Sequence, residues 1–177
     1  MNIKGASAIF RSSAGQALVE AALIAPLLVL LVVGVYEFSR AIQANNIIAN
    51  MSREMANLAS RTTTAPADVM SAVALTSQPL NMTGNGMMYI TVVTDETNSN
   101  GVSLGKAKVT SQYSWGSNPQ WASKIGASGN TANLSMFPKY PLSNGNTAYI
   151  AEVYYNYQFG LSSILKYSPV MYSMSIF

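Results

Sequence analysis

Residues 17–36 read ALVEAALIAPLLVLLVVGVY, and this apolar stretch decides the fold. It contains a single charged residue, Glu20. At about 1.5 Å of rise per residue, a helix of this length covers roughly 30 Å, which is the thickness of the hydrocarbon core of a bilayer. The stretch is therefore predicted to span a membrane.

The residues ahead of the stretch indicate its orientation. Lys4 and Arg11 both precede the apolar run, and positive flanks tend to remain on the cytoplasmic side. The N-terminus is therefore predicted to lie in the cytoplasm, with Glu20 near the inner edge of the span and residues 41–177 outside the cytoplasm.

Composition limits what the rest of the chain can be. The chain has 177 residues, which is enough for one domain and one anchor. Its net charge is +3, and without Lys4 and Arg11 eight basic residues oppose seven acidic ones. Such a balance argues against nucleic acid as a partner.

The chain contains neither cysteine nor histidine. The absence of cysteine leaves no disulfide to stabilise an extracytoplasmic domain, so its core must hold by packing. The absence of both residues removes the commonest zinc ligands, the cysteine nucleophile and the usual general base of hydrolases. We therefore predict that the protein is not an enzyme and binds no metal or other cofactor.

The span is predicted to belong to one long helix over residues 16–60. Pro26 lies inside it and removes a backbone donor, which predicts a kink over residues 22–26. Beyond the span, Glu37 and Arg40 are three residues apart, as in a helical ion pair. One face then carries apolar residues at helical spacing and is predicted to pack on the head: Ala41, Ala44, Ile48, Met51, Met55 and Leu58.

The remaining sequence predicts an α+β head with an antiparallel sheet of about four strands packed on the long helix. A short helix is expected over residues 67–78 and a loop over 81–86. Strand-like runs follow at 88–94 and 106–113, joined through the turn signal Asn100-Gly101. Two more strands are expected at 148–159 and 170–177.

Residues 114–146 form a predicted long loop rich in Gly, Ser, Asn and Pro. Four aromatic residues lie within it: Trp115, Trp121, Phe137 and Tyr140. They could form a binding surface, because tryptophan and tyrosine are favoured at interfaces, or they could anchor the loop to the domain surface. Anchoring is the favoured interpretation.

Residues 96–101 (ETNSNG) have partial similarity to a calcium-binding loop. Oxygen-bearing side chains alternate and Gly101 is sixth, but Glu96 replaces the usual aspartate and Ala107 stands where a bidentate carboxylate is required. A hairpin turn is the favoured interpretation, and no metal ligand is assigned.

The start of the chain is similar to the cleavage site of a type IV prepilin, in which a short basic leader ends in glycine and a glutamate is the fifth mature residue. Here Gly15 is followed by QALVE, which ends at Glu20. The wider pattern resembles the TadE-like family of minor pseudopilins of tight-adherence (Flp, type IVb) pilus systems. It consists of Gly15, Ala17, Val19, Glu20, Ala22, Pro26, Gly34, Glu37 and Arg40.

This resemblance implies a leader at 1–15, a transmembrane helix at 16–40 and an extracytoplasmic head at 41–177. It implies cleavage between Gly15 and Gln16 by a prepilin peptidase, and a place in the bacterial inner membrane or in the pilus. The implied partners are the peptidase, other pilins or pseudopilins and the lipid bilayer. Cleavage would free an α-amino group, a cation with which Glu20 of the same or a neighbouring subunit could pair during assembly.

Two other functional classes remain open from the sequence. One is a secreted or membrane-anchored binding protein whose apolar run is an ordinary signal or anchor segment. The run is long for a signal peptide, and no small-x-small cleavage signal follows it before Glu37. The other is a membrane-anchored enzyme, which the missing histidine and cysteine oppose.

Overall fold

The computed structural model describes residues 6–116, 121–160, 162, 166 and 168–177, with side chains from residue 15 onward. The chain divides into two compact units, residues 1–40 and residues 41–177. The predicted leader therefore lies largely outside the described side chains.

A single helix, α1 (Ala6–Arg61), contributes to both units. Its end agrees with the sequence prediction, since the β-branched Thr62–Thr64 have low helix propensity and Pro66 would interrupt the helix. The predicted start at Gln16 is wrong, because the helix begins at Ala6. Nothing in residues 6–14 (ASAIFRSSA) is a strong helix breaker, and Gly15 is tolerated within the helix.

In the head unit, one face of α1 is buried as predicted, with one exception. Ala44, Ile48, Met51 and Met55 expose 2% of their surface or less. Leu58 is 38% exposed, which contradicts its predicted place in the core. The face continues four residues beyond Met55 through the buried Ala59, because an ideal helix advances 3.6 residues per turn.

Two shorter helices follow. Helix α2 (Pro66–Leu75) has its proline at the start, as predicted, but ends in a turn before residue 78. The loop predicted for residues 81–86 instead contains the one-turn helix α3 (Met82–Asn85). The side-chain Oδ1 of Asn81 accepts a hydrogen bond from the backbone N–H of Gly84 at 3.1 Å, which caps this turn.

A four-stranded antiparallel sheet forms the rest of the framework and confirms the α+β fold. Its strands are β1 (Gly86–Thr97), β2 (Ser103–Trp115), β3 (Thr147–Asn156) and β4 (Val170–Ile176). Their spatial order is β2-β1-β3-β4. Trp115 is the last residue of β2, so the prediction that it belongs to the long loop is wrong.

The turn between β1 and β2 is the predicted hairpin turn. Oδ1 of Asn98 accepts hydrogen bonds from the backbone N–H groups of Asn100 (2.9 Å) and Val102 (3.0 Å). Gly101 has φ of +74°, a left-handed conformation that favours glycine. The polar side chain at position 98 therefore binds its own turn.

The sheet is covered on both faces. One face, called here the helix face, packs on residues 41–61 of α1 and on α2, and its strand residues include Met88, Ile90, Val153 and Tyr155. The other, called the loop face, is covered by residues 121–142, and its core contains Val93, Val109, Ile125 and Ile150. Alternation along each strand thus supplies two cores, with the side chains of Val153 and Tyr155 on one face and those of Ile150 and Tyr154 on the other.

We predict that residues 41–177 fold when produced without the first 40 residues, because both cores lie within this unit. The fragment should be soluble, with a cooperative unfolding transition and a far-UV circular dichroism spectrum that contains a large strand contribution. An unfolded spectrum, or one dominated by helix, would contradict this architecture.

Candidate processing and assembly site

The apolar part of α1 in the first unit is exposed on all sides. Most large apolar side chains from Leu18 to Phe38 leave more than half of their surface uncovered. An 18-residue window of this helix has a mean hydropathy of 2.7 and no part of it is buried in the protein. By length and composition the helix can cross a membrane, where lipid would cover the surface that the protein leaves bare.

The predicted cleavage site lies on this helix at Gly15 and Gln16, both exposed. Outside its own stretch of helix backbone, a Cβ atom built on Gly15 meets no described atom within 4 Å. Gly15 also adopts a helical conformation, which any residue can adopt, although glycine destabilises a helix by about 1 kcal/mol relative to alanine. Nothing in the described structure therefore requires a glycine at this position.

Glu20 lies one helical turn beyond Gln16. Its Oε1 accepts a hydrogen bond from the Gln16 side-chain amide at 3.1 Å, and both residues are exposed. Apolar residues such as Leu18, Val19 and Leu23 surround it along the helix and are exposed as well. Among the side chains described from residue 15 onward, the Glu20 carboxylate has one neutral hydrogen bond and no cation beside it.

The other end of the span carries a charged pair. Nη1 of Arg40 lies 3.5 Å from Oε1 of Glu37, which confirms the predicted i,i+3 contact, and the Arg40 guanidinium lies 5.7 Å from the ring centroid of Tyr36. Tyrosine and arginine are favoured at membrane interfaces. Pro26 lies within the helix, and the kink there stays a prediction.

The head contains a buried carboxylate, Glu152, on the loop face of β3. Its Oε1 accepts hydrogen bonds from the backbone N–H of Lys124 (2.9 Å) and from the hydroxyls of Tyr172 (3.0 Å) and Tyr154 (3.2 Å). Its Oε2 accepts one from the hydroxyl of Ser123. Glu152 thereby fixes residues 123 and 124 of the covering loop to strands β3 and β4.

The two tyrosines around Glu152 remain hydrogen-bond donors over a wide pH range. Burial raises the pKa of Tyr154 and Tyr172 well above that of free tyrosine, and the nearby Glu152 charge raises it further. The Lys124 ammonium lies 3.6 Å from the ring centroid of Tyr172, so a cation covers the outside of this cluster.

A second buried carboxylate, Asp95, holds the far end of the covering segment to β1. It accepts hydrogen bonds from the hydroxyls of Tyr140 and Ser103 (2.7 Å) and from the backbone N–H of Gly145 (3.1 Å). Burial alone would raise the pKa of Asp95, but these three donors together outweigh it, and the pKa lies below its ordinary value. Burial, together with Asp95, raises the pKa of Tyr140.

Aromatic packing completes the attachment of the loop. The ring of Trp121 stacks on Tyr154 with a 12° interplanar angle, and Tyr154 contacts Tyr172 at a centroid distance of 4.8 Å. Phe137 and Tyr140 pack against the loop-face core. These contacts support the anchoring interpretation for the three aromatic residues of the loop itself.

The buried carboxylates described in the head, Glu152 and Asp95, are engaged in structural hydrogen bonds. Each buried carboxylate is occupied by three or four hydrogen-bond donors. A groove of about 470 Å³ beside Pro79 and Leu80 is lined only by uncharged residues. Within the described residues, no group of three acidic side chains is placed to hold a metal ion.

Sequence reasoning found the residues of the span but missed the role of Glu152. A signal did exist: in β3, Glu152 alternates with Ile150 and Tyr154, which places it on an apolar face. Its donors at residues 123 and 124 could not be predicted, because they lie in a loop without regular periodicity.

Comparison with known proteins identifies the N-terminal segment. Residues 15–57 match the family model described as TadE-like protein, which confirms the resemblance found in the sequence. Neither a curated protein nor a solved structure matches the chain. The match covers the apolar stretch and most of α1.

We predict that Asp95→Asn lowers the stability of the 41–177 fragment at pH 7 and flattens its dependence on pH. Because the pKa of Asp95 is depressed, its stabilising effect is present above the ordinary aspartate pKa of about 4 and is lost as pH falls through the lower folded value. The exposed Glu54→Gln serves as the control. Equal urea midpoints for Asp95→Asn and Glu54→Gln at pH 7 would contradict this role.

Proposed function

We propose that this protein is a minor pseudopilin, a membrane-anchored structural subunit that takes part in assembling or priming a tight-adherence (type IVb) pilus. A prepilin peptidase would cleave it between Gly15 and Gln16. The helix at residues 16–40 would then remain in the inner membrane, with the head on the extracytoplasmic side. The observation that carries the proposal is the family match over residues 15–57, which begins at the proposed cleavage residue.

The environment of Gly15 supports the view that a binding partner, and not the fold of this chain, requires the glycine. Its side-chain position is open and its backbone conformation is ordinary, so packing and strain both leave alanine acceptable. A peptidase that binds the backbone closely would require the absence of a side chain. Glycine also lowers the energy needed to open the helix locally, as cleavage at this bond requires.

The environment of Glu20 supports a role in assembly. A carboxylate in an apolar helix is energetically costly and usually has a partner. Within the described residues of its unit it has only the Gln16 amide. Cleavage after Gly15 would create an α-amino cation four residues ahead of Glu20 in the same chain and within reach in a neighbouring chain, and pairing of the two would remove the cost.

The charges flanking the span support the proposed orientation. Lys4 and Arg11 precede it, while Glu37 and Arg40 at its other end neutralise each other. The excess of positive charge therefore lies on the N-terminal side, which favours a cytoplasmic N-terminus. The proposed partners are accordingly the peptidase and the bilayer, followed by other pilins or pseudopilins.

An anchored binding protein remains the alternative function. The groove beside Pro79 is lined by both polar and apolar uncharged residues and could accept a small uncharged ligand. This alternative predicts no cleavage at Gly15 and no effect of Glu20 on subunit contacts, so the two variants below distinguish it from the pseudopilin.

We predict that Gly15→Phe blocks maturation and leaves a full-length precursor in the membrane, because the span alone provides anchorage. Gly34→Phe is the matched control, since Gly34 lies in the same helix and its Cβ position is equally open. Immunoblots of membrane fractions should show precursor for the first variant and mature protein for the second. Mature-size protein from Gly15→Phe would exclude the assigned cleavage site.

We predict that Glu20→Ala is inserted and cleaved normally but assembles poorly. The substitution removes a charge from the span, so insertion should be unchanged or improved. Loss of a charged hydrogen-bonded pair should weaken each subunit contact by about 1.5–3 kcal/mol. Glu20→Gln, which keeps an acceptor without the charge, should be intermediate.

Cross-linking to other pilins and counts of pili per cell measure these effects. Glu54→Ala removes an exposed carboxylate from the head and should leave both readouts unchanged. Normal cross-linking and normal piliation in Glu20→Ala cells would show that the carboxylate merely extends to the membrane interface.

A further inference from the structure

Strand β4 has an outer edge whose backbone groups have no partner among the described residues. Tyr149 and Phe177 exchange both backbone hydrogen bonds, and the N–H of Tyr157 donates to the carbonyl of Pro169. In an antiparallel ladder such pairs recur at every second residue, so the odd-numbered residues of β4 bond to β3. The outer edge therefore consists of the N–H and C=O groups of Val170, Tyr172, Met174 and Ile176.

The opposite edge of the sheet, at β2, is covered over residues 107–110. The N–H and C=O groups of Val109 bond to Asn130 and Gly129, and the carbonyl of Ala107 accepts from Ala132. Lys106 and Lys108 add charge along that strand. Covered backbone and edge lysines are the devices by which proteins prevent unwanted strand pairing.

Strand β4 carries none of these devices. Its sequence, VMYSMSI, has no charged residue and no proline, and its pairing with β3 is continuous from residue 170 to 176. Its two faces differ in chemistry. Met174 and Ile176 pack at the loop face, whereas the hydroxyls of Ser173 and Ser175 lie 3.0 and 3.1 Å from that of Ser52 on α1.

We propose that the outer edge of β4 binds an extended segment of another pilus subunit, which adds a fifth strand to the sheet. Only an extended backbone presents donors and acceptors at the spacing of alternate β4 residues, so a helix or a lipid surface cannot satisfy this edge. Because β4 itself carries no charge, we expect an uncharged segment that is apolar beside Met174 and Ile176 and small and polar beside Ser173 and Ser175.

The identity of the partner as a pilus subunit rests on the proposed function. The pairing of an extended strand with β4 is argued from the edge alone and does not depend on that function. The bound segment lies beside Val170, which is 47% exposed and begins the edge. Val102, in the turn between β1 and β2, is 57% exposed and lies away from β4 in the sheet order, so it provides a matched control position.

The test uses the full-length protein in piliated cells. A photoreactive p-benzoylphenylalanine replaces Val170 or, as the control, Val102, and the cross-linked peptides are mapped by mass spectrometry. We expect an adduct from position 170, and none from position 102, with one continuous uncharged segment of another pilus subunit.

Substitutions then test the backbone contact itself. Met174→Pro removes an N–H that points away from β3, so the β3–β4 ladder stays intact, and Met174→Thr shortens the side chain while it keeps the N–H. Met174→Pro should lower the adduct yield about three- to tenfold relative to Met174→Thr, as expected for the loss of one net hydrogen bond. Val102→Lys should leave the yield unchanged.

The outcomes distinguish the two proposals. An adduct between two copies of this chain, or equal yields from Met174→Pro and Met174→Thr in folded proteins, overturns the assignment of the edge to another subunit. No adduct from position 170 in cells with normal pili overturns strand pairing and leaves the proposed function intact. Normal piliation in cells that lack this chain overturns the proposed function, while a mapped strand adduct would still support the pairing.

Discussion

The structure depends on the change in environment along the single helix α1. From Leu18 to Phe38 most of its large apolar side chains are exposed, whereas from Ala44 to Ala59 one face is buried. The first pattern suits lipid and the second suits a protein core. Helix α1 therefore contributes residues both to the exposed apolar stretch and to the helix-face core.

In the head, two buried carboxylates hold an irregular segment to the sheet through hydrogen bonds. Disulfides have this role in many small extracytoplasmic domains. Residues 121–146 have little regular structure, yet Glu152 binds the backbone of Lys124 near their start and Asp95 binds that of Gly145 near their end. Hydrogen bonds to a charged acceptor contribute more to the stability of the fold than neutral hydrogen bonds do. Each of these two carboxylates accepts several such bonds. A chain without cysteine can thus cover the loop face of its sheet with irregular backbone.

The sequence allowed good prediction of elements with strong periodicity and poor prediction of contacts between distant residues. The span, the buried face of α1 and all four strands follow from hydrophobic spacing. The prediction for Leu58 was wrong because the buried face of α1 continues through Ala59 instead. Helix α3 was missed because a single helical turn is too short to show a hydrophobic period. The partners of Glu152 depend on a loop conformation that no local signal encodes, whereas the roles of Gly15 and Glu20 rest on a motif and stay predictions.

The central claim is that the protein loses only its leader and keeps its span. The most direct measurement is the N-terminal sequence of the mature protein isolated from membranes of cells that contain the prepilin peptidase. The account predicts a mature chain that begins at Gln16, so that Glu20 is its fifth residue. A chain that begins beyond residue 36, as after signal-peptide removal, or one that retains residues 1–15, would contradict it.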